Sequence, residues 1–237
     1  MLNINVITPF PNMFDYVLNE SILLKAKQKN IVEYNIFNLF NYLNDSSKRI
    51  DDYPFGGGEG MLLKPEPIYN AVSSIKSNLK NNSVKVIFPT PDGELFNHDK
   101  AKELSHEDSL IFICGHYKGI DQRIRDEIVT DEISIGDFVL TSGELPVMLM
   151  IDSIVRLKRG VLNNYNSASK DSFYNILLDG PHYTRPRNFN NMKVPDVLLS
   201  GNHKEIKEWF LNEQEVKTKK LRKDLWKKYK SYKESGV

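Results

Sequence analysis

The chain reads as an α/β protein: a mostly parallel sheet covered by helices on both faces, then a small helical C-terminal domain. Three observations carry this. Short apolar runs with strand character alternate with helical stretches over roughly the first 160 residues. A polar Asn- and Ser-rich segment, "GVLNNYNSASKDS", then breaks the pattern. Beyond it the apolar spacing is helical and the charge strongly basic. Strands alternating with helical crossovers favour parallel pairing with both faces buried.

Each element has its own signal. Strands are expected at "INVIT" (4–8), "VEYNIF" (32–37), "VKVIFP" (84–89), "LIFIC" (110–114) and "EISI" (132–135). Helices are expected over 11–29, 65–79, 98–104, 122–129 and 144–157. Residues 1–160 form the first domain on this reading, 161–171 a flexible linker without apolar period, and 172–237 a helical domain. In the last, Asn202 caps a helix with Glu205 three residues on, and Ile206, Trp209 and Phe210 form its buried face. A basic helix follows, with Leu221, Leu225, Tyr229 and Tyr232 as its apolar stripe.

Hydrophobic residues make up 40% of the 237 and charged ones 27%, which argues against wholesale disorder. The apolar run from Leu145 to Leu157 is interrupted by Asp152 and Arg156, so it reads as a buried helix and not a membrane span. The N-terminus shows no signal peptide, and the lone Cys114 suits a reducing cytoplasm, so a cytoplasmic location is expected. From Val216 to Lys233, nine Lys or Arg stand against one Asp. That local +8 leaves about −7 on the remainder of a chain with net charge +1. It fits either a polyanion partner or a solvated helix face.

Several chemistries lack their signatures. No G-x-x-x-x-G-K-[ST] loop or G-x-S-x-G elbow is present. Cys114 and His116 lie close together, but no further Cys or His stands at metal-ligand spacing, so no metal residues are assigned. "FGGGEGM" (55–61) is either a flexible loop or a place where backbone approaches a ligand. The strand-end segments "FPTPDGE", "CGHYKGID" and "SIGDFVLTSGE" lie where open parallel sheets bind ligands.

Six motifs occur in register: "GGGEGM", "CGHYKGIDQR", "SIGDFVLTSGELP", "DSF", "GPHYTRP" and "VLLSGNH". Together they make the sequence closely resemble the bacterial tRNA (guanine-N1)-methyltransferases of the SPOUT class, over essentially its whole length. The resemblance implies a deep trefoil knot in the C-terminal part of the sheet, with S-adenosylmethionine bound in it. Matching cofactor positions are Pro91, Gly115, Tyr117, Gly119, Ser134, Ile135, Gly136, Phe138, Leu140 and Gly143. By themselves Ile135, Phe138 and Leu140 would read as core residues. Two departures stand out: Lys118 where many members carry glutamate, and Ser142 where glycine is frequent. Lys118 is therefore left outside the assigned site.

The implied reaction methylates N1 of the guanine 3′ of the anticodon, a modification that keeps the reading frame. N1 carries a proton, and removing it pushes charge onto O6, so the site needs a base near N1 and a cation near O6. The matching residues are Asp171 as base and Arg156 as charge stabiliser. His182, Tyr183, Arg185 and His203 match positions at the tRNA surface. The partners implied are the tRNA anticodon stem-loop and a second copy of the chain, in a homodimer whose active sites lie at the subunit interface. Mg2+ is a further expected requirement, at a site the residues do not mark. Two alternatives stay open at this stage: another knotted RNA methyltransferase, and an RNA-binding protein that has lost the chemistry.

Overall fold

The computed structural model describes residues 1–44, 49–79, 84–162 and 171–235. The chain divides into two compact units, Met1–Asn163 and Asn164–Val237. Of the expected linker, residues 163–170 lie outside the described residues.

In the first unit the strands are β1 (Leu2–Thr8), β2 (Val32–Asn38), the short β3 (Asp51–Asp52) and β4 (Leu62–Leu63), β5 (Lys85–Leu95), β6 (Ser109–Ile113) and β7 (Asp131–Ser134). Five of them form one sheet in the order β2-β1-β6-β5-β7, with every pairing parallel. β3 and β4 pair separately and antiparallel. The expected α/β architecture with a mostly parallel sheet is therefore present.

Alternation along the strands builds two cores. Leu2, Ile4 and Val6 of β1 and Leu110 and Phe112 of β6 point to one face; Ile7, Ile111 and Ile113 point to the other. A side-chain period of two sends successive residues to opposite faces, and both sets are buried because helices cover both. The helices are α1 (Asp15–Leu18), α2 (Ser21–Gln28), α3 (Pro65–Asn78), α4 (His98–Ser105), α5 (Gln122–Glu127) and α6 (Glu144–Val155). α2, α4 and α6 supply Leu23, Ala26, Ala101, Leu104 and Ile151 to the first core. α3 and α5 supply Ile68, Val72, Ile75 and Ile124 to the second. The starts of α4 and α5 are fixed by side chains that accept backbone N–H bonds, Asn97 from Lys100 and Asp121 from Arg123.

The helix expected over 11–29 is three pieces: a 3-10 turn over Pro11–Phe14, then α1 and α2. The break has a local cause. The Asn19 amide donates to the Asp15 carbonyl at 2.8 Å, competing with the helix ladder, and Ser21 takes a left-handed φ of 49°.

In the second unit, β8 (Asn188–Phe189) and β9 (Met192–Lys193) form a hairpin, followed by a 3-10 turn at Asp196–Leu199. Two helices follow, α7 (His203–Leu221) and α8 (Lys223–Glu234). Asn202 caps α7 by accepting from the amides of Lys204 and Glu205. Two expectations need correction. Ile206, Trp209 and Phe210 are half-buried, because no second layer among the described residues of this unit covers them fully; Thr218 and Tyr229 are buried instead. The basic segment is not one helix. It runs from the end of α7 into α8 and breaks at Arg222, whose guanidinium turns to chelate Asp224 at 2.9 and 2.5 Å. Of the apolar stripe only Tyr229 is buried, while Leu221 and Tyr232 are exposed.

Phe112 sits at the middle of the sheet, paired with Val6 on one side and Ile87 on the other, and is fully buried. Phe112→Ala is expected to cost about 3–5 kcal/mol. In urea denaturation the midpoint should fall with the slope unchanged; an unmoved midpoint would show that the sheet centre repacks without loss.

Candidate functional site

Parallel pairing puts the carboxyl ends of β6, β5 and β7 side by side at one edge of the sheet. The chain leaves each there in a loop. β5 bulges outward between Pro89 and Glu94, β6 runs into Gly115–Gly119, and β7 runs through Ile135 to Gly143 before α6. The loops surround a cavity of about 340 Å³. All ten of Pro91, Gly115, Tyr117, Gly119, Ser134, Ile135, Gly136, Phe138, Leu140 and Gly143 line it. Ile135 also packs against the core, but Phe138 and Leu140 are 54% and 38% exposed, so core packing does not account for them.

Backbone contacts bring the loops together. The Gly143 amide donates to the Gly115 carbonyl at 2.8 Å, and His116 and Ser142 form an antiparallel bridge beside it. A Cβ on Gly143 would lie 2.7 Å from the Gly115 nitrogen and 2.8 Å from the Cys114 Cα, distances that backbone atoms cannot yield to. Gly136, at φ 142°, would place a Cβ 2.7 Å from the Phe138 ring. Tyr117 takes a φ of 59°, a conformation non-glycine residues seldom hold outside constrained sites. At the side of the cavity, Arg125 grips both carboxylate oxygens of Glu132 at 2.6 Å and Asp92 at 2.8 Å, which ties the β5 loop to β7.

Beneath the loops lies a residue that the motif reading passed over. Glu144, the first residue of α6, is fully buried. Its Oε1 accepts from the Thr8 hydroxyl at 2.5 Å and lies 2.8 Å from His116 Nε2. Burial pushes its pKa up, but hydrogen bonding from His116, Thr8 and Ser142 outweighs this and holds the carboxyl below its ordinary value. An ionised carboxylate only accepts, so the proton of this pair resides on Nε2. The same carboxylate and burial drive the neighbouring Cys114 thiol well above its usual pKa, burial being the larger effect, so the thiol stays protonated. Glu144 thus joins the end of β1, the β6 loop and the start of α6. The signal in the sequence was an acid opening an otherwise apolar helix, "GELPVMLMI", where the helix dipole favours it.

The remaining predicted residues divide between the units. Arg156 is the half-buried C-cap of α6 in the first unit and does not line the 340 Å³ cavity. Asp171, His182 and His203 line a second cavity of about 980 Å³ within the second unit. His182 is set by Asp179, 2.8 Å from its Nε2, and by the Phe210 ring. Asp179 is in turn fixed through its own backbone: its amide donates to Ser172 Oγ at 2.9 Å, and its carbonyl accepts from Lys217 Nζ at 2.8 Å. Tyr183 and Arg185 lie outside that cavity, Tyr183 against Trp209. Among the described residues no group of three or more His, Cys, Asp or Glu is placed to hold a metal ion, and no helix is long and apolar enough to cross a membrane.

Two substitutions test this construction. Gly143→Ala is expected to destabilise the first unit by about 1–3 kcal/mol, since two backbones must separate; an unchanged urea midpoint would refute the close contact. Glu144→Gln is expected to cost a similar ~1–3 kcal/mol at pH 7. Because the folded-state pKa of Glu144 is lowered, its stabilisation is complete above the unfolded carboxyl value of about 4.3 and is lost as pH falls through the folded one. The variant should therefore lose less stability than the parent as pH falls from about 4.3 through the folded-state pKa of Glu144. Equal acid slopes would show that Glu144 is not the ionised anchor.

Comparison with known proteins bears on the whole chain. The family model described as tRNA (Guanine-1)-methyltransferase TrmD matches residues 2–228. A tRNA (guanine-N(1)-)-methyltransferase of Clostridioides difficile (strain 630) is 50% identical over 227 residues, covering 96% of this chain and 98% of that protein. Proteins of the same name from Anoxybacillus flavithermus (strain DSM 21510 / WK1) and Staphylococcus haemolyticus (strain JCSC1435) are 51% and 50% identical over 228 residues, covering 96% of this chain and 93% and 92% of theirs. The chain belongs to the tRNA (Guanine-1)-methyltransferase TrmD family.

Proposed function

We propose that this protein transfers a methyl group from S-adenosylmethionine to N1 of the guanine 3′ of the tRNA anticodon, and so helps hold the reading frame. The observation that carries the proposal is the 340 Å³ cavity at the carboxyl ends of three parallel strands, lined by all ten positions expected to hold the cofactor. Its size suits a nucleoside-sized ligand. Its walls combine Phe138, Leu140 and Ile135 with glycine backbone, which fits a flat apolar base with polar edges. A Cβ at Gly115 would come within 2.8 Å of the Phe88 ring, so the wall there is built for close approach. The cofactor, when bound, supplies an electrophilic methyl group.

The chain supplies the rest. Asp171 takes the N1 proton, and Arg156 stabilises the charge that moves to O6. A free aspartate has a pKa near 3.9 and is a weak base, so placement and partial dehydration must supply its effectiveness. His182, Tyr183, Arg185 and His203 contact the RNA, and the basic ends of α7 and α8 hold phosphates while the base is turned out of its stack. The deep trefoil knot belongs to this proposal, supported by the tight crossing of the β6 and β7 loops at Gly115 and Gly143.

The active unit is a homodimer that completes its sites across a two-fold interface. Exposed apolar side chains support a second copy: Leu145 and Leu149, one turn apart on α6, are 53% and 46% exposed, and Phe10 and Met13 on the adjacent 3-10 turn are exposed too. Cytoplasmic location and a magnesium requirement complete the reading.

Asp171→Asn, incubated with labelled S-adenosylmethionine and a tRNA transcript, is expected to lose at least about a hundredfold in turnover. Cofactor binding by calorimetry should stay intact. Retained turnover would refute the role of the base, methylation at another atom would favour a different RNA methyltransferase, and absence of cofactor binding by the parent would favour a non-catalytic RNA-binding protein.

A further inference from the structure

The cavity is nearly without charge. Its lining is glycine, proline, hydroxyl and apolar side chains, plus His116 and Lys118. His116 commits Nε2 to the buried Glu144 below. Lys118 is different: it is exposed, and among the described residues it makes no ion pair with any acid.

Its base is nonetheless well held. The Lys118 amide donates to the Met61 carbonyl at 3.1 Å, and next to it the Gly119 carbonyl accepts from the Leu63 amide at 3.0 Å. The side-chain stem then lies along Gly60. A Cβ there would come within 3.0 to 3.3 Å of the Lys118 Cε, Cγ and Cδ, so the missing side chain of Gly60 leaves the room the stem occupies. A long flexible cation is thus anchored at its root and along its methylenes, with its charged end left for a partner.

We propose that Lys118 is the carboxylate receptor of this cavity and thereby fixes which way the amino-acid end of the methyl donor lies. The inference rests on the S-adenosylmethionine reading above. That ligand carries two positive groups, the sulfonium and the α-ammonium, and one negative group, the carboxylate. A lysine repels the first two and attracts the third, so the bound orientation lowest in energy turns the carboxylate toward residue 118 and keeps both cations away from it. Lys118 is therefore a specificity-determining residue: it selects for a ligand that bears the acid, while the nucleoside end is read by the backbone of the other loops.

The test compares two ligands on three proteins by titration calorimetry: S-adenosylmethionine and its decarboxylated analogue, against the parent, Lys118→Met and Lys118→Arg. Methionine keeps the stem on Gly60 and removes the charge; arginine restores it. For a solvent-accessible pair the expected effect is roughly threefold to fivefold. Lys118→Met should weaken S-adenosylmethionine by that factor and leave the analogue unchanged or bound more tightly, and Lys118→Arg should recover at least half of the lost discrimination. The effect should also shrink in high salt. Equal weakening of both ligands, or of neither, overturns the role of Lys118 while leaving the methyl-donor reading intact. Failure of the parent to bind either ligand overturns both.

Discussion

Two glycine backbones in direct contact are the constraint around which the candidate site is built. The amide of Gly143 meets the carbonyl of Gly115, and no side chain fits between them. Parallel strand order brings the two loops to the same edge, but it does not by itself close the distance; strand ends in such sheets ordinarily splay apart around a crevice. The close approach turns a crevice into a cavity walled on three sides. It also explains why so much of that wall is main chain. At this contact the wall is main chain, with the Gly143 amide and the Gly115 carbonyl bonded to each other.

Two ionic arrangements hold this geometry, and their magnitudes differ in kind. Arg125 bridges Glu132 and Asp92 in partly exposed surroundings. Such pairs contribute up to about 1 kcal/mol each, and salt weakens them. Glu144 is buried, and its charge is held by Thr8 and His116. Removing one partner from a buried charge costs several times more, because the charge left behind has no water to turn to. Arg125 therefore trims the position of the β5 loop, while Glu144 reinforces the junction of the β6 loop and α6 beneath the Gly115–Gly143 contact. Placing that acid at the start of a twelve-residue helix reduces the cost of burying it, since the unpaired amides there carry partial positive charge.

Much of this was legible in the sequence, for a physical reason. β1 and β6 are short apolar runs, and burial on both faces makes them conspicuous: Leu110 to Cys114 could hardly be anything else. β5 continues past the expected end at 89 to Leu95, through a polar half that no apolar run announces. The helix starts at Asn97, Asp121 and Asn202 were legible through their capping side chains, although only the last was read as a cap. What escaped depends on contacts between distant residues. The break at Asn19 to Ser21 arises from one amide reaching one carbonyl, which no hydrophobic period records. Glu144 opens an apolar helix, and no local pattern tells that Thr8 and His116 converge on it from 136 and 28 positions away. The half-burial of Trp209 and Phe210 followed the same rule, because helical spacing announces an apolar face and says nothing about what covers it.

The distribution of the predicted chemical groups over the two units has its own logic on the proposed reading. Asp171 lines a cavity of the second unit, and the ten cofactor positions line one of the first. A carboxylate kept permanently against an activated methyl group would be a nucleophile in its own right, and the enzyme would esterify itself. On the proposed reading, the base and the methyl donor are carried by different units of the chain, and the reaction needs both at one nucleobase. The proposed reading thereby makes the arrival of RNA a condition for assembling the site, so that binding energy from the stem-loop would go into bringing base and methyl together. On that reading, selectivity for the right nucleic acid would follow from how the site is put together, since a small methyl acceptor brings no stem-loop to assemble it.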